Sequence, residues 1–172
     1  MERLYSKIVG SHIYEDSFER PISTVKDIII DPESGKVLAL VVNLSRNLVL
    51  SPIDILSWND AVHIHSRDDF VPGDEILRVD SVQKMRTRIF HNKVYTKEGE
   101  FLGKVADFSI DSSDLALNKL YVSKVFWGVL RYQSRIIPAK NIEEILPDKI
   151  VVKADASVKE EEKVPATDLA VS

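Results

Sequence analysis

The chain has 172 residues, a formal net charge of −4 and no cysteine. The mild acidity disfavours general binding to nucleic acid or membrane surfaces. The missing cysteine excludes disulfides, thiolate chemistry and cysteine-based zinc sites. No apolar run approaches membrane-spanning length, so no membrane insertion is expected. The start Met1-Glu2-Arg3-Leu4-Tyr5-Ser6-Lys7 lacks the apolar core of a signal peptide, and the expected location is cytoplasmic.

Residues 1–65 read as a first small domain. An apolar strand at Ile13-Tyr14 is followed by Val25-Lys26-Asp27-Ile28-Ile29-Ile30-Asp31 and by the apolar run 38–42. Strand side chains alternate between faces. Strict alternation puts Ile28 and Ile30 on the core face with Lys26, joined by Leu40 and Val42. It puts Val25, Asp27, Ile29 and Asp31 on the opposite face. Asp31-Pro32-Glu33-Ser34-Gly35 is a turn, with proline fixing φ and glycine free to take φ > 0. Residues 43–47 close the next hairpin, and Pro52 opens a segment leading to the last strand at 62–64. Residues 66–84 read as a linker, acidic and broken by Pro72-Gly73. Ile76, Val79, Val82 and Met85 recur every three residues, which leaves a short helix and an extended lead-in both open.

The stretch at 25–31 then returns as Val105-Ala106-Asp107-Phe108-Ser109-Ile110-Asp111. The run 38–42 is answered by 120–122, Pro52 by Pro138, and the strand 62–64 by 150–152. Such self-similarity signals a duplicated structural unit, here a second domain at 85–153. Its hairpin before the proline is longer than that of the first copy. Residues 154–172 hold Lys159-Glu160-Glu161-Glu162-Lys163, one proline and almost no large apolar side chain. They bury too little to offset their ordering entropy and are expected to be a disordered, flexible tail.

An apolar-Tyr strand, a turn, Gly103-Lys104-Val105-Ala106-Asp107 running into the core strand, and Pro138 with Asn141 and Ile142 before the last strand together resemble the PRC-barrel family. The first copy departs from this pattern, with Ser23 where the second has Gly103. The resemblance implies an all-β chain: two small PRC-type β-barrels in tandem, short helical turns and the C-terminal tail. It also implies docking onto a larger assembly rather than catalysis, since the family includes a cytoplasmic part of the photosynthetic reaction centre and half of a ribosome-maturation factor. The expected function is therefore a non-enzymatic binding or scaffold protein. A role in RNA or ribosome assembly, and cation or metal binding, stand as alternatives. Nucleic acid is the less favoured partner, and no cofactor is expected.

Candidate residues fall into four groups. Asp27 and Asp107 could be acids or cation ligands, but their presence in both copies favours structural carboxylates that accept backbone N–H groups of the preceding turn. His63 and His65 share a strand face near Asp68 and Asp69, a spacing that suits a metal, although solvent-facing imidazoles account for it equally simply; no metal site is assigned. Lys84, Arg86, Arg88 and Lys93, with His91, form one dense basic run suited to anion contact or to a solvated face. Phe126, Trp127, Val129, Leu130, Arg131 and Tyr132 lie at the longer hairpin. Large apolar residues at a hairpin tip either fold back onto the other domain or meet a protein partner or second copy of the chain. No catalytic residue is assigned, because no nucleophile elbow, phosphate loop or dinucleotide fingerprint is present.

Overall fold

The computed structural model describes residues 1–16, 18–44, 47–126, 131–154 and 158–163, with 126, 131, 132 and 158–163 as backbone alone. In chain order the elements are β1 (Glu2–Leu4), α1 (Tyr5–Ile8), β2 (His12–Glu15), β3 (Ser23–Ile30), β4 (Val37–Val42) and β5 (Leu48–Leu50). β6 (Ile55–Trp58), β7 (Val62–Ile64), β8 (Phe70–Pro72) and α2 (Leu77–Met85) complete the first half. The second half holds β9 (Lys93–Thr96), β10 (Phe101–Asp111), β11 (Ala116–Phe126), β12 (Arg131–Pro138), β13 (Ile142–Ile145), β14 (Lys149–Val152) and β15 (Val158–Lys163).

The fold is mainly β, in two sheets with the same strand order. The first runs β6-β7-β2-β3-β4-β5-β8 and the second β13-β14-β9-β10-β11-β12-β15. Each half therefore repeats the other strand for strand, including a parallel contact between its first and sixth strands, β2 with β7 and β9 with β14. The exception is β1, which leaves the first half and pairs antiparallel with β10 through Arg3↔Ile110.

Leu40 and Leu120 are both fully buried and occupy equivalent positions, paired with Ile28 and Phe108. The register shifts at two places in each copy, and the first of them reverses strand parity. A bulge between Val25 and Asp27, and another between Val105 and Asp107, inserts an extra residue and reverses the parity of what precedes it. Val25 and Val105 therefore join the core, while Lys26 and Ala106 are exposed. The buried residues of both halves form one continuous cluster, from Ile13 and Leu40 to Leu120 and Ile150. The two units share a core at their contact.

Two domain boundaries differ from the expectation. The segment 66–84 is not a linker. β8 pairs with β5 through Val49↔Val71, and α2 seats Val79 and Val82 on Ile29, Ala39 and Val49, the outer face of the first sheet. Proline and acidic residues masked a three-residue edge strand, which proline tolerates because an edge needs no N–H on its free side. The expected tail also differs: residues 158–163 form β15, paired with β12 through Ile136↔Val158. Alternation there is nearly all charged, so composition hid a strand that the repeat places where β8 stands. Residues 164–172 lie outside the described residues.

Candidate functional site

The halves meet at α1. The Tyr5 ring stacks on Phe108 at 4.7 Å and packs against Phe90 at 4.9 Å. Its hydroxyl donates to Asp27 Oδ1 at 3.0 Å. Burial, then the Asp27 carboxylate, pushes the Tyr5 phenol up to about 12, so it remains a neutral donor. Asp27 Oδ1 also accepts the Ile28 N–H at 2.8 Å. The second copy repeats this bond, Phe108 N–H to Asp107 Oδ1 at 2.8 Å, and adds the Ser6 N–H at 3.2 Å. Both carboxylates thus seat the bulge of their own strand and hold α1 between the sheets. Their backbone donor lies just after them, not in the preceding turn, because the bulge frees that N–H from the ladder. Asp31 closes its turn as anticipated, accepting from the Glu33 N–H, and Asp111 does the same in the second copy, accepting from the Ser113 N–H.

Beside α1 lies a cleft of about 1050 Å³, lined from both halves. Three residues of the basic run, Arg86, Arg88 and Lys93, border it together with His91. Lys104, from β10, joins them. Lys84 does not: it is paired with Asp80 at 2.6 Å, one helical turn earlier. The connection that carries these cations is held by Asn92. Its side-chain amide donates to the carbonyls of Arg88 and Leu146, at 2.9 and 3.0 Å, and its Oδ1 accepts the Lys93 N–H. Sequence reading missed Asn92, Lys104 and Tyr5, since each gains its role from a partner distant in the chain.

The second candidate is an arm. β11 and β12 pair over eight residues, from Lys119↔Pro138 to Phe126↔Arg131, whereas β4 and β5 pair over two. The last β10 partner is Lys104↔Ser123, so Lys124, Val125 and Phe126 run on past β10, still paired with β12, which β15 flanks. Gly103 permits the departure: a Cβ there would lie 2.3 Å from the Ser123 carbonyl oxygen, at φ 134°. Only glycine fits so close a backbone approach at that φ. Lys124 Nζ then donates to the Phe101 carbonyl at 2.9 Å, and Val125 is 67% exposed. The backbone of Phe126, Arg131 and Tyr132 belongs to the stem, while Trp127, Val129 and Leu130 lie outside the described residues.

His63 stacks on Tyr14 at 5.4 Å, and Asp69 accepts the Ser66 N–H in a capping box. Among the described residues, no group of three or more His, Cys, Asp or Glu side chains is placed to hold a metal ion. No described helix is long and apolar enough to cross a membrane.

Comparison with curated proteins finds no match. The family model of the PRC-barrel domain matches residues 1–86, a span that ends one residue after α2 and takes in all of the first sheet. On that match, the chain belongs to the PRC-barrel domain family.

Proposed function

We propose that the protein is a non-enzymatic docking module, built from two PRC-barrel units in tandem, that engages a protein assembly through the β11–β12 arm. The arm carries this reading. Among the described residues it is longer than the matching hairpin of the other repeat, it runs on past β10, and it exposes Val125. An extension confined to one repeat is not required by the shared fold, and repeat architectures use such extensions for binding. The strand identity of the second half supports a second PRC unit. The structural engagement of Asp27, Asp107, Asp31 and Asp111 supports a binding rather than a catalytic role.

The test is Val125→Ser combined with Phe126→Ser and Trp127→Ser. Melting temperature, size-exclusion volume and proteins captured under native conditions are compared with wild type. Unchanged melting with a lost specific partner is expected, because apolar anchors each carry about 2 kcal/mol or more of binding energy. An unchanged set of captured proteins contradicts the proposal.

A further inference from the structure

We propose that the cleft between the two sheets is a groove for an acidic, partly apolar polypeptide segment of a partner protein, a second contact separate from the arm. Its volume of about 1050 Å³ stands at the upper end of small-ligand pockets, roughly 300–1,000 Å³, which suits a chain segment better than a lone small anion. Its lining combines aliphatic and aromatic side chains, Ile29, Val41, Val82 and Phe108, with an exposed rim of Arg86, Arg88, Lys93 and Lys104. Among the described residues, none of these four cations has a side-chain hydrogen bond or ion pair. Two carboxylates also border the cleft, Asp27 and Asp148. Asp27 is already committed to Tyr5 and Ile28. The rim is thus locally cationic in a chain whose net charge is −4.

The backbone fixes where these cations stand. Arg86 and His91 adopt left-handed φ values of 55° and 64°, and they bracket the connection that presents Arg86 and Arg88. At Arg86 this is the left-handed C-cap that ends α2, its N–H donating to the Gln83 carbonyl, a common helix ending, and the connection that follows is held in place. Here Asn92 does the holding, from inside the connection to Leu146.

The chemistry favours a peptide over RNA. Base stacking needs exposed aromatic faces, but Phe108 is 2% exposed and the Tyr5 ring packs against both Phe108 and Phe90. A long polyanion would also meet the acidic remainder of the surface, whereas a short acidic segment meets only the local field. Carboxylates of such a segment can take forked bonds from the two guanidinium groups, while its apolar side chains meet the half-buried Val41 and the exposed Pro147 of the lining. Both halves are needed, since Ile29 and Val82 come from the first and Lys93 and Lys104 from the second.

The experiment is fluorescence anisotropy on the full chain with a labelled peptide alternating glutamate and leucine, alongside a labelled single-stranded RNA of the same length. One variant pairs Arg86→Asn, which tolerates the left-handed backbone, with Arg88→Gln. Another pairs Lys93→Gln with Lys104→Gln on the other sheet. Lys84→Gln is the charge control, and Val125→Ser separates this site from the arm. We expect saturable peptide binding in wild type, Lys84→Gln and Val125→Ser, and a loss of about ten-fold or more in both cleft variants, with melting unchanged in at least one. Absence of saturable binding to wild type overturns the proposal, as does equal binding by both cleft variants. Tighter binding of RNA than of peptide, lost in the same variants, overturns the choice of a peptide.

Discussion

The two sheets have the same strands in the same order, yet their outer faces are covered by opposite chemistry. On the first sheet, Ile29 and Ala39 sit side by side and disappear beneath Val79 and Val82 of α2. On the second, the equivalent pair is Ser109 and Lys119, and the Glu2 side chain reaches over it from β1, which lies beside β10 in the same sheet. Glu2 accepts from the Ser109 hydroxyl at 2.7 Å, the Tyr121 hydroxyl at 2.9 Å and the Lys119 ammonium at 3.0 Å. The covering element also clamps the turn carboxylate of its own sheet. Arg78 of α2 binds Asp31 at 2.6 Å, and the N-terminal ammonium reaches Asp111 at 3.2 Å. A duplicated fold can thus keep its inner core fixed while its outer face changes from an apolar seat for a helix to a polar seat for one carboxylate. Because β1 belongs to the first half of the chain, the polar cover also ties the halves together.

The inner core gives the largest expected effect. Leu40→Ala or Leu120→Ala should each cost about 2–5 kcal/mol, read from urea denaturation, since both side chains are fully buried. The outer faces should differ. Val82→Ala removes two buried carbon groups and should cost about 1–2 kcal/mol. Glu2→Gln should cost below about 1 kcal/mol, because the Glu2 side chain is 35% exposed. Equal losses at the two sites would end the contrast between an apolar and a polar cover.

The polar cover should also answer to acid. The Ser109 hydroxyl, then Lys119, holds the Glu2 carboxyl below its usual value. A depressed folded-state value contributes stability that is fully present above the unfolded value, about 4.3, and is lost as pH falls through the folded one. The stability gap between wild type and Glu2→Gln should therefore close on acidification below about pH 4. A gap that stays constant there would mean that Glu2 acts by shape alone. The smallest effect belongs to Arg86→Gly, which relieves a left-handed backbone and should raise stability by about 0.5–1 kcal/mol while weakening peptide capture at the cleft.

The repeat, the core positions Leu40 and Leu120, and the longer second hairpin were legible because they rest on pattern within each copy. Alternation misassigned Val25 and Val105, since a bulge leaves no mark on apolar spacing. β1 was invisible: three residues beside a helix turn carry no pairing signal until β10 is beside them. β8 and β15 were hidden by proline in one case and by glutamate in the other. At the cleft, Arg86, Arg88 and Lys93 could be found as neighbours in sequence, whereas Lys104 and Tyr5 reach it only through folding.

Native-state hydrogen exchange on Leu120→Ala tests most directly whether the halves form one cooperative body. Their buried residues make a single cluster, and Tyr5 bridges Asp27 of one sheet to Phe108 of the other. The slowest amides of β3 and β4 should lose the same protection free energy as those of β10 and β11. Loss confined to β10 and β11, with β3 and β4 exchanging as in wild type, would contradict a shared core.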